Sequence, residues 1–136
     1  MSDLFELIYT SRLATDAPPS CVADIVRNAR SYNRLHDITG LLVFDGERFL
    51  QYLEGPQSAV TRLVKRIETD PRHVEFKTIH QGLITRHRFS AWSMAYALDE
   101  EGEMLNLFSE THGADPALML EMHLSELDFD NPASTS

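Results

Sequence analysis

The sequence predicts an α+β fold built on a ferredoxin-like β-α-β-β-α-β-β sheet. Three observations carry that expectation. Apolar residues alternate with a period of two in Leu4 to Thr10 and in Arg48 to Glu54, as half-buried strands require. Apolar residues recur at i, i+3, i+4 and i+7 after Ser20 and again after Gly55-Pro56, as amphipathic helices require. Between two apolar runs stands Asp45-Gly46, a strong two-residue hairpin signal.

The elements follow in chain order. In the first strand, Phe5, Leu7 and Tyr9 share one face, and Leu4, Glu6, Ile8 and Thr10 share the other. Pro18-Pro19 interrupts the chain, and Ser20 is placed to cap the first helix. That helix carries Val22, Ile25, Val26 and Ala29 on one stripe, which continues to Tyr32 and Asn33. Ile38 to Phe44 is apolar at both parities, as expected of a strand covered on both faces. After the hairpin, Phe49, Gln51 and Leu53 share one face of the next strand and Leu50, Tyr52 and Glu54 the other. The second helix aligns Val60, Leu63, Val64 and Ile67, and Thr69-Asp70-Pro71 ends it. Phe76 to Ile84 and Ala91 to Leu98 read as two further strands around a basic connection, Arg86-His87-Arg88.

A split βαβ sheet with both helices on one face leaves its other face bare. The remaining chain supplies a cover. A short helix is expected over Glu101 to Glu110, and a second begins with Asp115 as N-cap and Pro116 at its first position. Leu118, Met119, Met122 and Leu127 are expected to give that helix an apolar surface, and the chain from Asp128 onward is expected to be a flexible tail.

Composition bounds the function. A length of 136 residues suits one domain with a real core, and 43% apolar with 24% charged residues is ordinary for a globular protein. The single cysteine, Cys21, excludes an internal disulfide framework, and neither a membrane-length apolar run nor a signal-peptide pattern is present. The expectation is therefore a cytoplasmic protein. All 12 Lys and Arg precede residue 97, whereas 10 of the 21 Asp and Glu follow it, and the net charge is −9. The acidic end would repel phosphates, so nucleic acid is not an expected partner. The six histidines lack ligand spacing, and no Ser/His/Asp set, Cys/His pair or glycine-rich phosphate loop is present. Neither a metal site nor an enzyme is expected.

Three polar side chains stand where packing alone would prefer apolar ones. Tyr9, Asn33 and Gln51 all face the helix-covered side of the sheet. Each by itself is readily satisfied by a local partner. A buried amide left without hydrogen bonds costs about 1–3 kcal/mol, and three such groups around one groove favour a ligand with donors and acceptors along its edge. Ile25 and Ile67 are placed to face each other across that groove with Phe49 beneath, spaced to take a flat ring system. Arg66, Asp70, Arg72 and His73 fall at the end of the second helix, near where a polar end of such a ligand would emerge.

Over roughly residues 3–98 the sequence resembles the BLUF domain family, blue-light sensors that use flavin. The segments that carry the resemblance are LFELIYTSR, ARSYNRLHDITGLLVFDGERFLQYLEGP, ETDPRH and RFSAWSM. The resemblance implies a BLUF flavin-binding domain over residues 1–98, a C-terminal helical cap over 99–127 and a tail over 128–136. It implies that Tyr9 is the photoactive tyrosine, Gln51 the switching glutamine and Asn33 the amide that holds the flavin ring edge. Met94 matches the family's methionine and Trp92 its semi-conserved tryptophan, while Ile25 and Ile67 match the residues that sandwich the ring. Tyr32 stands where many members carry Asn or His.

The implied chemistry is a light-driven electron and proton transfer between Tyr9 and the flavin through Gln51. A phenol, with a pKa near ~10, stays protonated until it is oxidised, and a carboxamide has both an acceptor and donors and so can relay a proton without gaining charge. Gln51 would settle rotated or as the imidic tautomer, donate a new hydrogen bond to the flavin and redshift its absorption. On the last strand Trp92, Met94 and Tyr96 share a face, so the change would pass to that strand and the C-terminal helices. The implied cofactor is a flavin, FAD first, with FMN and riboflavin as alternatives. The implied output is altered contact with a downstream protein partner or with further copies of the chain in a homo-oligomer. The competing expectation is a flavin-free ferredoxin-like regulatory module that binds a small metabolite.

Overall fold

The computed structural model describes residues 3–89, 94–110 and 115–123. Among these residues the elements are β1 (Leu4–Leu13), α1 (Cys21–Leu35), β2 (Thr39–Phe44), β3 (Arg48–Pro56), α2 (Gln57–Glu68), β4 (His73–Leu83), β5 (Ala95–Leu98), α3 (Glu103–Glu110) and α4 (Pro116–His123). The strands form one sheet in the order β4-β1-β3-β2-β5. Its first four strands pair antiparallel, in the ferredoxin-like order, and β5 joins β2 in parallel. The expected α+β class and the expected order of elements are both found.

Local chemistry explains the joints. Gly46 turns the β2–β3 hairpin at φ 100°, a conformation L side chains rarely adopt. Asp45 Oδ1 accepts from the backbone N–H of Glu47 and Arg48 at 2.9 and 2.6 Å, holding that turn. Gly40 lets β2 lie close to β3, because a Cβ there would sit 2.1 Å from the Tyr52 carbonyl oxygen. Asp115 Oδ1 accepts from the Ala117 N–H at 3.1 Å, the expected cap of α4.

The sheet separates two cores. Phe5, Leu7, Phe49 and Leu53 pack under α1 and α2 with Val22, Val26, Val60 and Val64. On the other face Ile8, Leu41, Val43 and Leu50 pack against Met104, Leu105 and Phe108 of α3 and Ala117 and Leu120 of α4. β2 is buried from Gly40 to Phe44, as its unbroken apolar run required.

Several boundaries and faces differ from the sequence reading. β4 begins at His73 rather than Phe76, because the strand continues the pairing of Leu13 and Arg12 with His73 and Val74. Of the strand expected over Ala91 to Leu98, residues 91–93 lie outside the described residues, and the described part, β5, pairs with β2 from Leu41 opposite Ala95 onward. α3 starts at Glu103 rather than Glu101, after Gly102 at φ 69°. Ser20 occupies the N-cap position of α1 but makes no side-chain capping bond, because its own backbone is already helical. In α4 the sheet-facing residues are Ala117 and Leu120, whereas Leu118 and Met122 are exposed. That helix is apolar nearly all round, so the pattern could not select its buried face. Trp92, Leu127 and the tail from Asp128 lie outside the described residues.

Candidate functional site

The site is assembled by strand register. Tyr9 of β1 lies directly opposite Gln51 of β3, and both side chains project toward α1 and α2. The Tyr9 hydroxyl donates to Gln51 Oε1. The amide's other end, Nε2, faces Met94 Sδ at 3.7 Å. All three side chains are buried. Gln51 is thus held at both ends, its acceptor by a phenol and its donor by a thioether, which is a weak acceptor.

The surroundings fix the protonation of the pair. Burial pushes the Tyr9 phenol far above its ordinary pKa, and the Asp70 charge adds to the shift. Tyr9 therefore stays protonated at any physiological pH. Phe76 stacks on it with ring centroids 4.5 Å apart, and His73 approaches edge-on at 6.3 Å. His73 Nδ1 shares a hydrogen bond with Ser11 Oγ at 2.9 Å. Burial lowers the His73 pKa, Arg72 lowers it further, and Asp70 opposes both, so the ring is neutral at pH 7.

A narrow cleft of roughly 150 Å³ opens above this pair between α1 and α2. Its walls are Ile25 and Ala29 from α1 and Leu63 and Ile67 from α2, with Tyr9 and Gln51 at the inner end. Asn28, Tyr32, Arg66, Asp70, Arg72 and His73 complete the lining. The Arg66 guanidinium lies over the Tyr32 ring at 4.8 Å, joining α2 to α1. Arg72 grips Asp70 through Nε and Nη2, the latter at 2.7 Å, and this pairing holds the Asp70 carboxyl below its usual range.

The structure thus gathers Tyr9, Ile25, Tyr32, Gln51, Arg66, Ile67, Asp70, Arg72 and His73 around one cleft. Asn33 is fully buried on the same side of the sheet but does not line the opening. Phe49 is buried beneath, its ring 4.8 Å from His73 and 4.7 Å from Phe44. Met94 touches Gln51 from the segment before β5, and its carbonyl accepts from Arg30 Nε at 3.0 Å. Trp92 lies outside the described residues. Sequence reasoning did not single out Asn28, Ala29 and Leu63 as lining, or Phe76 and Ser11 as the partners of Tyr9 and His73. Ala29 and Leu63 sat on helical stripes and read as core, and Ser11 fell just beyond the expected end of β1.

The donor set fits a flat, polar-edged ring. Branched aliphatics face each other across a narrow slot, buried amide and phenol groups meet its inner end, and cations stand at its mouth. That is the chemistry an isoalloxazine with a phosphorylated tail calls for.

Comparison with known proteins agrees. A family model described as sensors of blue-light using FAD, BLUF, matches residues 4–95. The blue light- and temperature-regulated antirepressor BluF of Escherichia coli (strain K12) is 40% identical over 70 residues, covering 52% of this chain and 17% of that protein. The photoactivated adenylate cyclase subunit beta of Euglena longa is 33% identical over 100 residues, covering 73% of this chain and 12% of that protein. The chain thus spans less than a fifth of the length of these curated relatives. The dark-state structure of BlrB, a BLUF protein, superposes with a TM-score of 0.76 at 31% identity, covering 100% of this chain and 99% of that one.

Proposed function

The chain belongs to the BLUF family of blue-light sensors, and from that premise we propose that Tyr9 and Gln51 form its light-operated switch, with FAD as the flavin in the cleft. The observation that carries the proposal is the buried hydrogen bond from the Tyr9 hydroxyl to Gln51 Oε1 at the inner end of the slot. Ile25 and Ile67 would hold the ring between them, and Asn33 would take its polar edge. Arg66, Arg72 and Asn28, which line the cleft, would meet the tail. Family membership disfavours the flavin-free reading of the same groove.

A bound flavin supplies the absorption of blue light and, once excited, an oxidant. The chain's part begins at Tyr9. Its phenol can give up an electron together with its proton, and the acceptor already in place for that proton is Gln51 Oε1. When electron and proton return, the phenol is as it was, but the amide need not be. It can settle with carbonyl and NH₂ ends exchanged, or as the imidic tautomer, so that a donor replaces an acceptor at one edge. Among the described residues Nε2 has only the long contact to the Met94 sulfur, a weak acceptor, so little is lost at that end on turning.

The similar proteins are named as a blue light- and temperature-regulated antirepressor and as a photoactivated adenylate cyclase subunit. For this chain we propose a sensor rather than an enzyme, whose output is a change in protein–protein contact, with a second copy or a downstream protein as partner. Among the described residues no helix is long and apolar enough to cross a membrane.

Two variants test the switch. Gln51→Leu should bind flavin with little change and lose the light-induced redshift. Tyr9→Phe should likewise bind flavin and lose the redshift, because a phenyl ring has no proton to relay. Flavin content from the protein-to-chromophore absorbance ratio and a light-minus-dark spectrum read both outcomes. A full redshift in Gln51→Leu would remove Gln51 from the mechanism.

A further inference from the structure

On the face of the sheet opposite the cleft, the Tyr52 hydroxyl lies between two buried carboxylates. It stands 2.8 Å from Glu6 Oε1 and 3.0 Å from Glu54 Oε2. A phenol has one proton, so it donates fully to one of them at a time. Glu6 also receives Arg88 Nε at 2.8 Å and pairs with His80 Nε2 at 2.7 Å. Glu54 also receives the backbone N–H groups of Arg88 and Phe89 at 2.8 and 2.7 Å and Thr39 Oγ1 at 3.0 Å. The Arg88 guanidinium then reaches out of the network to Glu121 Oε1 on α4 at 2.7 Å.

The origin of this chain of contacts adjoins the switch. Gln51 and Tyr52 are consecutive residues of β3, so their side chains leave the same backbone toward opposite faces. Their β1 partners, Tyr9 and Ile8, are consecutive as well. A change in the Tyr9–Gln51 bond therefore acts on the β1–β3 spacing at the place where Tyr52 chooses between an acceptor on β1 and one on β3. A sheet packed on both faces cannot absorb such a change by bending side chains into voids. A hydroxyl poised between two acceptors responds to it in a discrete way.

We infer that Tyr52 is a positioning residue that carries the state of the Tyr9–Gln51 pair through the sheet, its hydroxyl set between Glu6 and Glu54 and its effect delivered to α4 by the Arg88–Glu121 contact. This rests on the light-sensing reading above. With the hydroxyl on Glu6, the phenol and Arg88 Nε share the one oxygen Oε1 while His80 takes Oε2. With it on Glu54, Glu6 is left to Arg88 and His80, and the guanidinium is held more firmly. The strength of the Arg88 clamp, and with it the docking of α4, follows the position of one proton.

The test uses the full chain loaded with FAD and carrying a spin label at Met122→Cys in a Cys21→Ser background. Met122 is 68% exposed on α4 and follows Glu121 directly, so a label there reports on the docking of that turn. Absorption and label mobility are recorded in darkness and under blue light. The parent protein should redshift, and its label should change mobility and recover at the rate of the absorption. Tyr52→Phe keeps the ring that packs 5.0 Å from Phe89 and removes only the hydroxyl. It should redshift fully and lose the light-induced change in mobility. Glu121→Ala removes the acceptor at the outer end of the relay at a solvent-accessible site and should do the same, which covers the case in which Tyr52→Phe fails to fold. A tether with only a structural role would alter the label in darkness and leave the light-minus-dark difference intact. That result in either variant, or a parent that redshifts without a label response, overturns the relay. A parent without a redshift overturns the light-sensing reading itself, and the relay with it.

Discussion

Burial decides the chemistry of the residues beside Tyr9 as much as their identity does. His73 is an ordinary histidine in sequence, but in the fold it is enclosed by Tyr9, Phe49 and Ser11, and its pKa is depressed. The unfolded chain takes up a proton on this ring near the usual value of about 6.5, and the folded chain only at lower pH. The His73 contribution to stability is thus fully present above that value and is lost as pH falls below it toward the folded pKa. Thermal unfolding followed from pH 7 to pH 5 should show a falling midpoint, and His73→Gln should flatten that fall. Parallel curves for the two proteins would show that His73 titrates alike in both states. A neutral ring here also keeps a positive charge away from Tyr9, which would otherwise oppose the electron loss proposed for the phenol.

At the scale of elements, the bonds that fasten the C-terminal cover can be cut singly. Asp99 Oδ2 accepts from the Met104 and Leu105 N–H groups at 2.9 and 3.1 Å, while its own N–H donates to the Phe44 carbonyl at 2.8 Å. One residue thus caps α3 and ties it to the end of β2. Asp99→Ala should cost about 1 kcal/mol in denaturant unfolding and speed hydrogen exchange in the first turn of α3. An unchanged midpoint would mean that the apolar contacts of Met104, Leu105 and Phe108 hold the helix by themselves. The strands and helices around the cleft were legible because their patterns are periodic. Tyr9, Asn33 and Gln51 stood out as polar residues at apolar positions of those same patterns. Phe76 did not, because β4 is an edge strand with interrupted pairing to β1 and shows no clean alternation; His73 was expected at the polar end of the ligand, and the same irregular strand hid its contact with Tyr9. The network of Glu6, Tyr52, Glu54 and Arg88 was hidden for a different reason. Each residue is polar at a position where polar side chains ordinarily meet water, and only the arrival of α4 and the segment after β4 turns that surface into an interior.

The whole molecule is one sheet with a different task on each face. The helix-covered face holds the cleft and the Tyr9–Gln51 pair, and the other face holds buried carboxylates under the C-terminal helices. The skew of charge fits this division. The cations that line the cleft and the Arg88 clamp come from the first 96 residues, and Glu121, which receives the clamp, comes from the acidic remainder. The tasks proposed for both faces depend on light altering the state of Gln51. A visible absorption spectrum of the purified chain supplied with FAD, taken before and after blue light and then followed in darkness, examines that dependence. A flavin spectrum that moves to longer wavelength under light and returns in the dark is the expected result. A flavin spectrum that binds in the cleft and does not move, or a chain that takes up no flavin, would contradict the account.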